Sequence, residues 1–352
     1  MNKKVYLTLA NGKVLQGYRF GAEGDVTGEL VFTTGMVGYD KTLTDPAYYG
    51  QIVVQTFPLI GNYGIIGSEL ENCKSYVSGF VVRENCEVPS NFRTEETLDA
   101  YMKRENIVGI YGVDTRELTK IIRDNGAMNA RISSKPANVE DLSSYKIENA
   151  VSAVTVTKTK VYNEAGKASV AFVDYGAKES AVEFWAQNGL KVVRVSANTS
   201  AEEILALNID GIVLSEGPGD PAENKHAIAT IQQLVGKKPI FAVGLGMQML
   251  ALALGAKTAK MKHGHRGGNQ PVKYLGSGRV YVSSQNHGYE VVASSVKQGE
   301  INFVNVNDNG VEGILYENER AVSVQFSPES CSAALEPNFL VEGFVKQLTE
   351  GK

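Results

Sequence analysis

Pro239-Ile240-Phe241-Ala242-Val243-Gly244-Leu245-Gly246-Met247-Gln248-Met249-Leu250 decides the fold of this chain. Residues 239–243 form a short apolar run of strand type, Gly244 and Gly246 mark a sharp turn, and Met247 to Leu254 has the composition of a buried helix. A strand, a tight glycine turn and a helix make a nucleophile elbow, in which one side chain is lifted above the end of a parallel sheet and the following backbone N–H faces an oxyanion. Here the lifted position is Gly244, which has no side chain to offer.

The surrounding pattern extends the sheet. Ser169 to Asp174 is rich in strand formers. Lys178 to Asn188 is helical, contains the only tryptophan, Trp185, and ends at Gly189. Leu190 to Val195 and Gly211 to Ser215 read as further strands. Ser200 with Glu203 is a capping-box pattern ahead of Ile204-Leu205, and Ala222 to Val235 is a helix. Four βα units in succession predict an α/β domain with a largely parallel sheet covered on both faces. Ligands of such a sheet bind at the carboxyl ends of its strands, where Gly217, Gly219 and Gly244 fall.

The amino-terminal half has short alternating strands, including Leu30-Val31-Phe32 and Ile52 to Thr56, between glycine-rich and Asp/Pro turns. Helices are expected at about Glu95 to Glu105 and from Asp114 to Asn125, the second capped by Asp114 with Glu117 and closed by Gly126. Composition alone makes this half a mixed α/β module. The passage 135–167, polar and rich in Ser, Lys and Val, reads as a linker, which divides the chain into 1–134, 135–167 and 168–352.

Composition narrows the class. The 352 residues, 43% hydrophobic and 21% charged, suit a two-domain globular protein. A net charge of −4 without a Lys/Arg run argues against nucleic acid. Cys73, Cys86 and Cys331 are odd in number and lack metal-ligand spacing, which fits a reduced, cytoplasmic setting. Asn11-Gly12 interrupts the first apolar stretch too early for a secretory signal. Pro239 to Ala256 carries no charge, but Pro239, Gln248 and the glycines argue for strand, turn and buried helix, not a membrane span. Gly244-x-Gly246 lacks the third glycine of a dinucleotide fingerprint, since Met249 stands there, and no Walker-type sequence occurs.

Further motifs carry a resemblance to a known family. Gln325-Phe326-Ser327-Pro328-Glu329 resembles the His-Pro-Glu signature of class I glutamine amidotransferases, and Ser215-Glu216-Gly217-Pro218-Gly219-Asp220-Pro221 resembles their oxyanion loop. Gln285-Asn286-His287-Gly288-Tyr289 narrows the resemblance to the small subunit of carbamoyl-phosphate synthetase, as do Gly35 to Tyr39, Leu43 to Pro46 and Pro58 to Gly64. It covers essentially the whole chain. It implies an amino-terminal small-subunit domain that contacts a large synthetase subunit, then an amidotransferase-like domain. It places no cofactor on this chain and puts ATP and Mg on the partner.

In that family a cysteine thiolate attacks the glutamine amide, a histidine moves the proton and a glutamate orients the histidine. Motif matching puts these roles at Gly244, Ser327 and Glu329, so two of the three groups are missing. A serine hydroxyl is not a general base near neutral pH. Loss of nucleophile and base together costs on the order of 10⁶ in kcat in a dissected protease triad. The expectation is a subunit unable to hydrolyse glutamine, structural or allosteric in an ammonia-using complex. The alternatives are an active glutaminase with an unconventional nucleophile, with Cys331 or Ser327 weighed for that part, and a detached glutamine sensor.

The resemblance implies substrate contacts at Gly217, Gly219, Leu245, Gln248, Asn286, Gly288 and Tyr289. For Gly217 and Gly219 a tight turn that needs glycine explains the residues equally well. Ala47 stands where the family commonly has a serine that helps to hold glutamine, and Met247 replaces a usual histidine, so glutamine binding is expected to be weak. His263 and His265 flank Gly264, but His-x-His alone is a weak metal signal, and the family carries the similar passage Gly264 to Asn269 without a metal, so a structural role is expected and no metal site is assigned. His226 and His287 receive no catalytic role, although His287 is the imidazole nearest the pocket motifs.

Overall fold

The computed structural model describes residues 3–330 and 339–351, and the chain divides into two compact units, residues 1–148 and 149–352. In the first unit seven strands close into a barrel: β1 (Lys4–Leu9), β2 (Val14–Gly21), β3 (Val26–Thr33), β4 (Gln51–Gln55), β5 (Gly79–Val82), β6 (Val108–Tyr111) and β7 (Met128–Ser133). Their order around the barrel is β1-β2-β6-β5-β4-β3-β7, with β7 returning to β1. The pairs β3/β4, β4/β5 and β5/β6 are parallel and the others antiparallel. Closure removes the sheet edges, and the lumen fills with Val5, Leu7, Leu30, Ile52, Val54, Val81, Ile110 and Ile132. The mixed module expected from composition is therefore a barrel, a property of register and closure that local patterning does not carry.

Of the four helices described in this unit, the two longest are those expected from the sequence. The first spans Leu98–Arg104 and begins where Thr97 accepts a hydrogen bond from the Ala100 N–H, three residues later than the sequence suggests. The second, Thr115–Asn125, is capped by Asp114, whose carboxylate accepts from the Glu117 N–H at 2.9 Å. The Glu117 side chain does not complete a capping box but pairs with Lys13 at 2.6 Å. The expected linker is structured and shared between the units. Asn129 donates to the carbonyls of Leu142 and Tyr145 in the first unit, while the short helix Ala150–Val154 belongs to the second.

The second unit is built on a ten-stranded sheet, formed by β8 (Lys160–Tyr162), β9 (Ala168–Asp174), β10 (Leu190–Ser196), β11 (Gly211–Leu214), β12 (Ile240–Val243), β13 (Thr258–Tyr274), β14 (Val280–Val291), β15 (Glu300–Asn305), β16 (Val311–Tyr316) and β17 (Ala321–Val324). The order is β8-β10-β9-β11-β12-β17-β16-β15-β13-β14. The five strands β10, β9, β11, β12 and β17 are mutually parallel, and the remaining pairings are antiparallel.

Helices Glu179–Gln187, Ala201–Ala206, Lys225–Leu234 and Leu245–Ala253 follow β9, β10, β11 and β12, as the four βα units require. Alternate strand residues face opposite layers: Ala171, Val173, Ile212, Leu214 and Ala242 pack on one side, Val170, Phe172, Val213, Phe241 and Val243 on the other. Ser200 and Glu203 form the complete capping box, each side chain meeting the other's backbone. Trp185 is buried edge-on against Phe241 and Phe344. Among the described residues no helix is long and apolar enough to cross a membrane.

Candidate active site

The elbow is present in shape. Gly244 sits between β12 and the helix Leu245–Ala253 with φ 54° and ψ −113°, a conformation that strains any residue with a side chain. Its N–H donates to the Val324 carbonyl on β17 at 2.9 Å, and its carbonyl accepts the Gln248 N–H at 3.2 Å. A Cβ built on Gly244 meets Glu216 Cβ at 3.1 Å and the Gln325 carbonyl at 3.9 Å. The elbow thus lies between the loop after β11 and the loop after β17, which brings three expected segments to one end of the parallel strands. Leu245 is the first residue of the helix, so its N–H has no intrahelical acceptor.

The loop after β11 is held by its own hydrogen bonds. Ser215 Oγ accepts from the Tyr175 N–H at 2.9 Å and donates to the Glu216 carbonyl at 2.7 Å, while the Ser215 carbonyl accepts from the Gly246 N–H at 2.9 Å. Gly217 is required by space: a Cβ there would stand 2.3 Å from the Tyr175 carbonyl oxygen. Gly219 has φ 89°. Both glycines are thus accounted for by packing and turn geometry without reference to a substrate.

The third segment carries Ser327 and Glu329. The Ser327 N–H donates to the Ser284 carbonyl on β14 at 3.0 Å, which ties the loop to the strand bearing Asn286, Gly288 and Tyr289. Glu329 has a buried side chain whose Oε1 lies 2.5 Å from Lys178 Nζ and accepts from Ser330 Oγ at 3.1 Å. Lys178 also donates to Ser330 Oγ at 3.0 Å and lies 4.0 Å from Glu216 Oε1. The Glu329 carboxylate is thus held by an ammonium and a hydroxyl.

Sequence reading treated Lys178 only as the start of a helix. Its position after a parallel strand, in the turn that follows β9, was the available signal. Asp174 builds that turn, accepting at Oδ1 from the N–H groups of Gly176 and Ala177 and meeting Arg194 at 3.1 Å through Oδ2.

Gln248 is 2% exposed and its side-chain amide donates to the Tyr289 carbonyl at 2.7 Å and to Gln325 Oε1 at 2.9 Å. Both amide hydrogens are therefore spent inside the protein, joining the elbow helix to β14 and to the loop after β17. Met247 is fully buried in the core. Gly288 faces the Arg266 guanidinium, 3.0 Å from the place a Cβ would occupy, and Asn286 pairs with Arg266 across β13 and β14. Ala47 belongs to the first unit, in the turn Pro46–Tyr48, where its N–H donates to Asp45 Oδ1 at 2.9 Å. Cys331 lies outside the described residues.

His287 is the imidazole nearest these segments in sequence, and its contacts are fixed. Its Nδ1 is 2.8 Å from the Tyr289 carbonyl and its Nε2 is 2.9 Å from Gln285 Oε1. Burial, reinforced by His265 and Arg266, pushes its pKa down to about 3, so the ring is neutral and its single proton sits on Nδ1, donated to the Tyr289 carbonyl. The structure brings the elbow at Gly244, the loop after β11 and the loop carrying Ser327 and Glu329 to one end of the parallel strands, with no side chain at Gly244 and a hydroxyl at Ser327.

Comparison with known proteins agrees with this architecture. Residues 7–132 match the family model described as carbamoyl-phosphate synthase small chain, CPSase domain, and residues 171–347 match glutamine amidotransferase class-I. A carbamoyl phosphate synthase small chain of Clostridium perfringens is 44% identical over 97% of this chain and 99% of its own length. One from Syntrophotalea carbinolica is 42% identical over 99% of each. The pyrimidine-specific small chain of Bacillus subtilis is 42% identical over 97% of this chain and 95% of its own length.

Proposed function

The chain belongs to the carbamoyl-phosphate synthase small-chain family, and from that premise we propose that it is the small subunit of a cytoplasmic synthase complex in which it does not hydrolyse glutamine. The large subunit then makes carbamoyl phosphate from bicarbonate, ATP and free ammonia, with ATP and Mg bound by that partner alone. The observation that carries this reading is Gly244, at the apex of an intact elbow, where an amide-attacking thiolate would stand. Two others support it: Ser327 provides no imidazole, and Glu329 is engaged by Lys178.

A complex with a large subunit is also supported by the surface of the first unit. Met36, Val37, Val88 and Phe92 are exposed, Phe92 at 98%. Their loops meet at Asn62-Tyr63: the Gly38 N–H donates to Tyr63 Oη at 2.8 Å, and the Ser90 N–H donates to the Asn62 carbonyl at 2.9 Å. Exposed apolar side chains gathered by shared hydrogen bonds are what a docking face needs. They fall in and beside the two segments, Gly35 to Tyr39 and Pro58 to Gly64, that resemble the small-subunit amino-terminal domain.

The deciding experiment purifies this chain with its large subunit and measures carbamoyl phosphate with glutamine or ammonium as nitrogen donor, with glutamate assayed in parallel. Product from ammonium alone supports the proposal. Product from glutamine with matching glutamate release sinks it.

A further inference from the structure

In the first unit the short helix Tyr39–Thr44 follows the loop 35–38, which exposes Met36 and Val37. The N-cap of that helix is Gly38, left-handed at φ 80° and ψ 30°, with no side chain to offer the first N–H groups. A residue of another segment takes the part. Tyr63 Oη accepts from the N–H of Gly38 at 2.8 Å and of Tyr39 at 3.2 Å, and donates to the buried Asp40 Oδ1 at 3.3 Å. Burial, with Asp40 beside it, pushes the Tyr63 pKa up, so the hydroxyl keeps the proton it donates.

The clasp is reciprocal. The Tyr39 and Tyr63 rings stack with centroids 4.2 Å apart, and Tyr39 Oη donates to the Gly64 carbonyl at 2.6 Å. The same segment holds the second apolar loop. The Asn62 carbonyl accepts from the Ser90 N–H at 2.9 Å, the Tyr63 carbonyl from Thr94 Oγ1 at 2.8 Å, and the Glu96 carbonyl from the Ile65 N–H at 2.9 Å. Segment 62–65 thus fixes where Met36 and Val37 stand relative to Val88 and Phe92. Loop 88–92 is joined to it by backbone groups, which substitution leaves in place. The end of loop 35–38 is joined to it by the Tyr63 hydroxyl, and Gly35 and Gly38 leave that loop free to take other shapes once the tie is cut.

We propose that Tyr63 is a positioning residue for association with the large subunit, its hydroxyl holding Met36 and Val37 in the shape the partner binds before the partner arrives. This role rests on the docking face described above and adds to it a control point behind the contact surface. The large subunit is the occupant because Met36, Val37, Val88 and Phe92 lie within residues 7–132, which match the small-chain CPSase domain. Loops 35–38 and 88–92 also carry no charged residue, which suits an apolar patch on that partner. When only a fraction of free chains holds the competent loop, apparent affinity falls by that fraction. It falls through the association rate, because the contacts of the finished complex are unchanged.

The test uses the full chain and the full large subunit, with binding kinetics for wild type, Tyr63→Phe and Phe92→Ser and hydrogen exchange on each free chain. Tyr63→Phe keeps the ring and removes its oxygen. Its association rate should fall about 5–10-fold with dissociation unchanged, while exchange rises at residues 36–40 and stays as in wild type in β5. Phe92→Ser, at a direct contact, should instead speed dissociation. In free wild type the Gly38 and Tyr39 amides should already be protected, a readout that needs no variant. Protection that appears only with the large subunit overturns the proposal. Tyr63→Phe binding as wild type does while Phe92→Ser weakens also overturns it, and leaves the docking face standing. If neither variant weakens binding, the docking face lies elsewhere and both ideas fall. Self-association of the wild-type chain that Phe92→Ser abolishes, with affinity for the large subunit unchanged, would give the face to a second copy and overturn the proposal.

Discussion

Lys178 Nζ lies 2.5 Å from Glu329 Oε1, joining the turn after the first parallel strand of the second unit to the loop after the last. Both side chains are largely buried, the lysine 12% and the glutamate 3% exposed. Removing one partner of such a pair strands a charge, so Lys178→Met is expected to destabilise the second unit by about 3–5 kcal/mol. For a unit of this size that lowers Tm by on the order of 10 °C. The double variant Lys178→Met with Glu329→Gln removes both charges and should recover most of the loss, as thermal melts of the four proteins would reveal. Equal melting of both single variants and wild type would contradict the burial argument.

Glutamine chemistry should return only when both missing groups are supplied. Gly244→Cys alone is expected to release no glutamate and to cost about 1–3 kcal/mol, because a side chain is forced into a positive-φ elbow beside Glu216. Adding Ser327→His provides a base, worth about 10²–10⁴ in rate. Glutamate release by the complex of each variant with the large subunit is the measurement. A double variant no faster than Gly244→Cys would mean that more than the two groups has been lost.

Docking should depend on Phe92. Phe92→Ser alters an almost fully exposed ring, so the isolated chain should melt as wild type does. Association with the large subunit should weaken by about 2 kcal/mol, on the order of 30-fold, if the ring is an interface anchor. A surface-binding measurement with wild type and variant decides it, and identical affinities would place the interface elsewhere.

Gln248→Leu should loosen the elbow without touching its apex. Two buried hydrogen bonds are lost: the Tyr289 carbonyl keeps His287 Nδ1 at 2.8 Å, whereas Gln325 Oε1 loses the Gln248 donor, at about 1–3 kcal/mol. Hydrogen exchange should rise in the helix Leu245–Ala253 and in β14 together, since Gln248 links them. A rise in the helix alone would show that the link carries little energy.

Much of the second unit was legible because its signals are local. The apolar run at Ile240–Val243, the glycines of the elbow and the Ser200–Glu203 capping box each specify a conformation within a few residues. Helix starts shifted by a few residues, as at Thr97, because the cap that wins is the one whose oxygen reaches the backbone. The antiparallel half of the sheet was less legible, since a strand as long as Thr258–Tyr274 mixes charged residues and glycines with few apolar ones.

The sequence by itself determined the order of elements in the parallel half, the elbow, and the absence of a thiol and an imidazole at Gly244 and Ser327. These are statements about residue identity and short-range pattern, and no packing can supply an atom that the chain lacks. Only the tertiary structure decided that the first unit closes into a barrel and that Glu329 meets a lysine 151 residues away. Each of those depends on strand register and on which strands become neighbours. Register is fixed by burial summed over the whole sheet, so it cannot be read from any one segment.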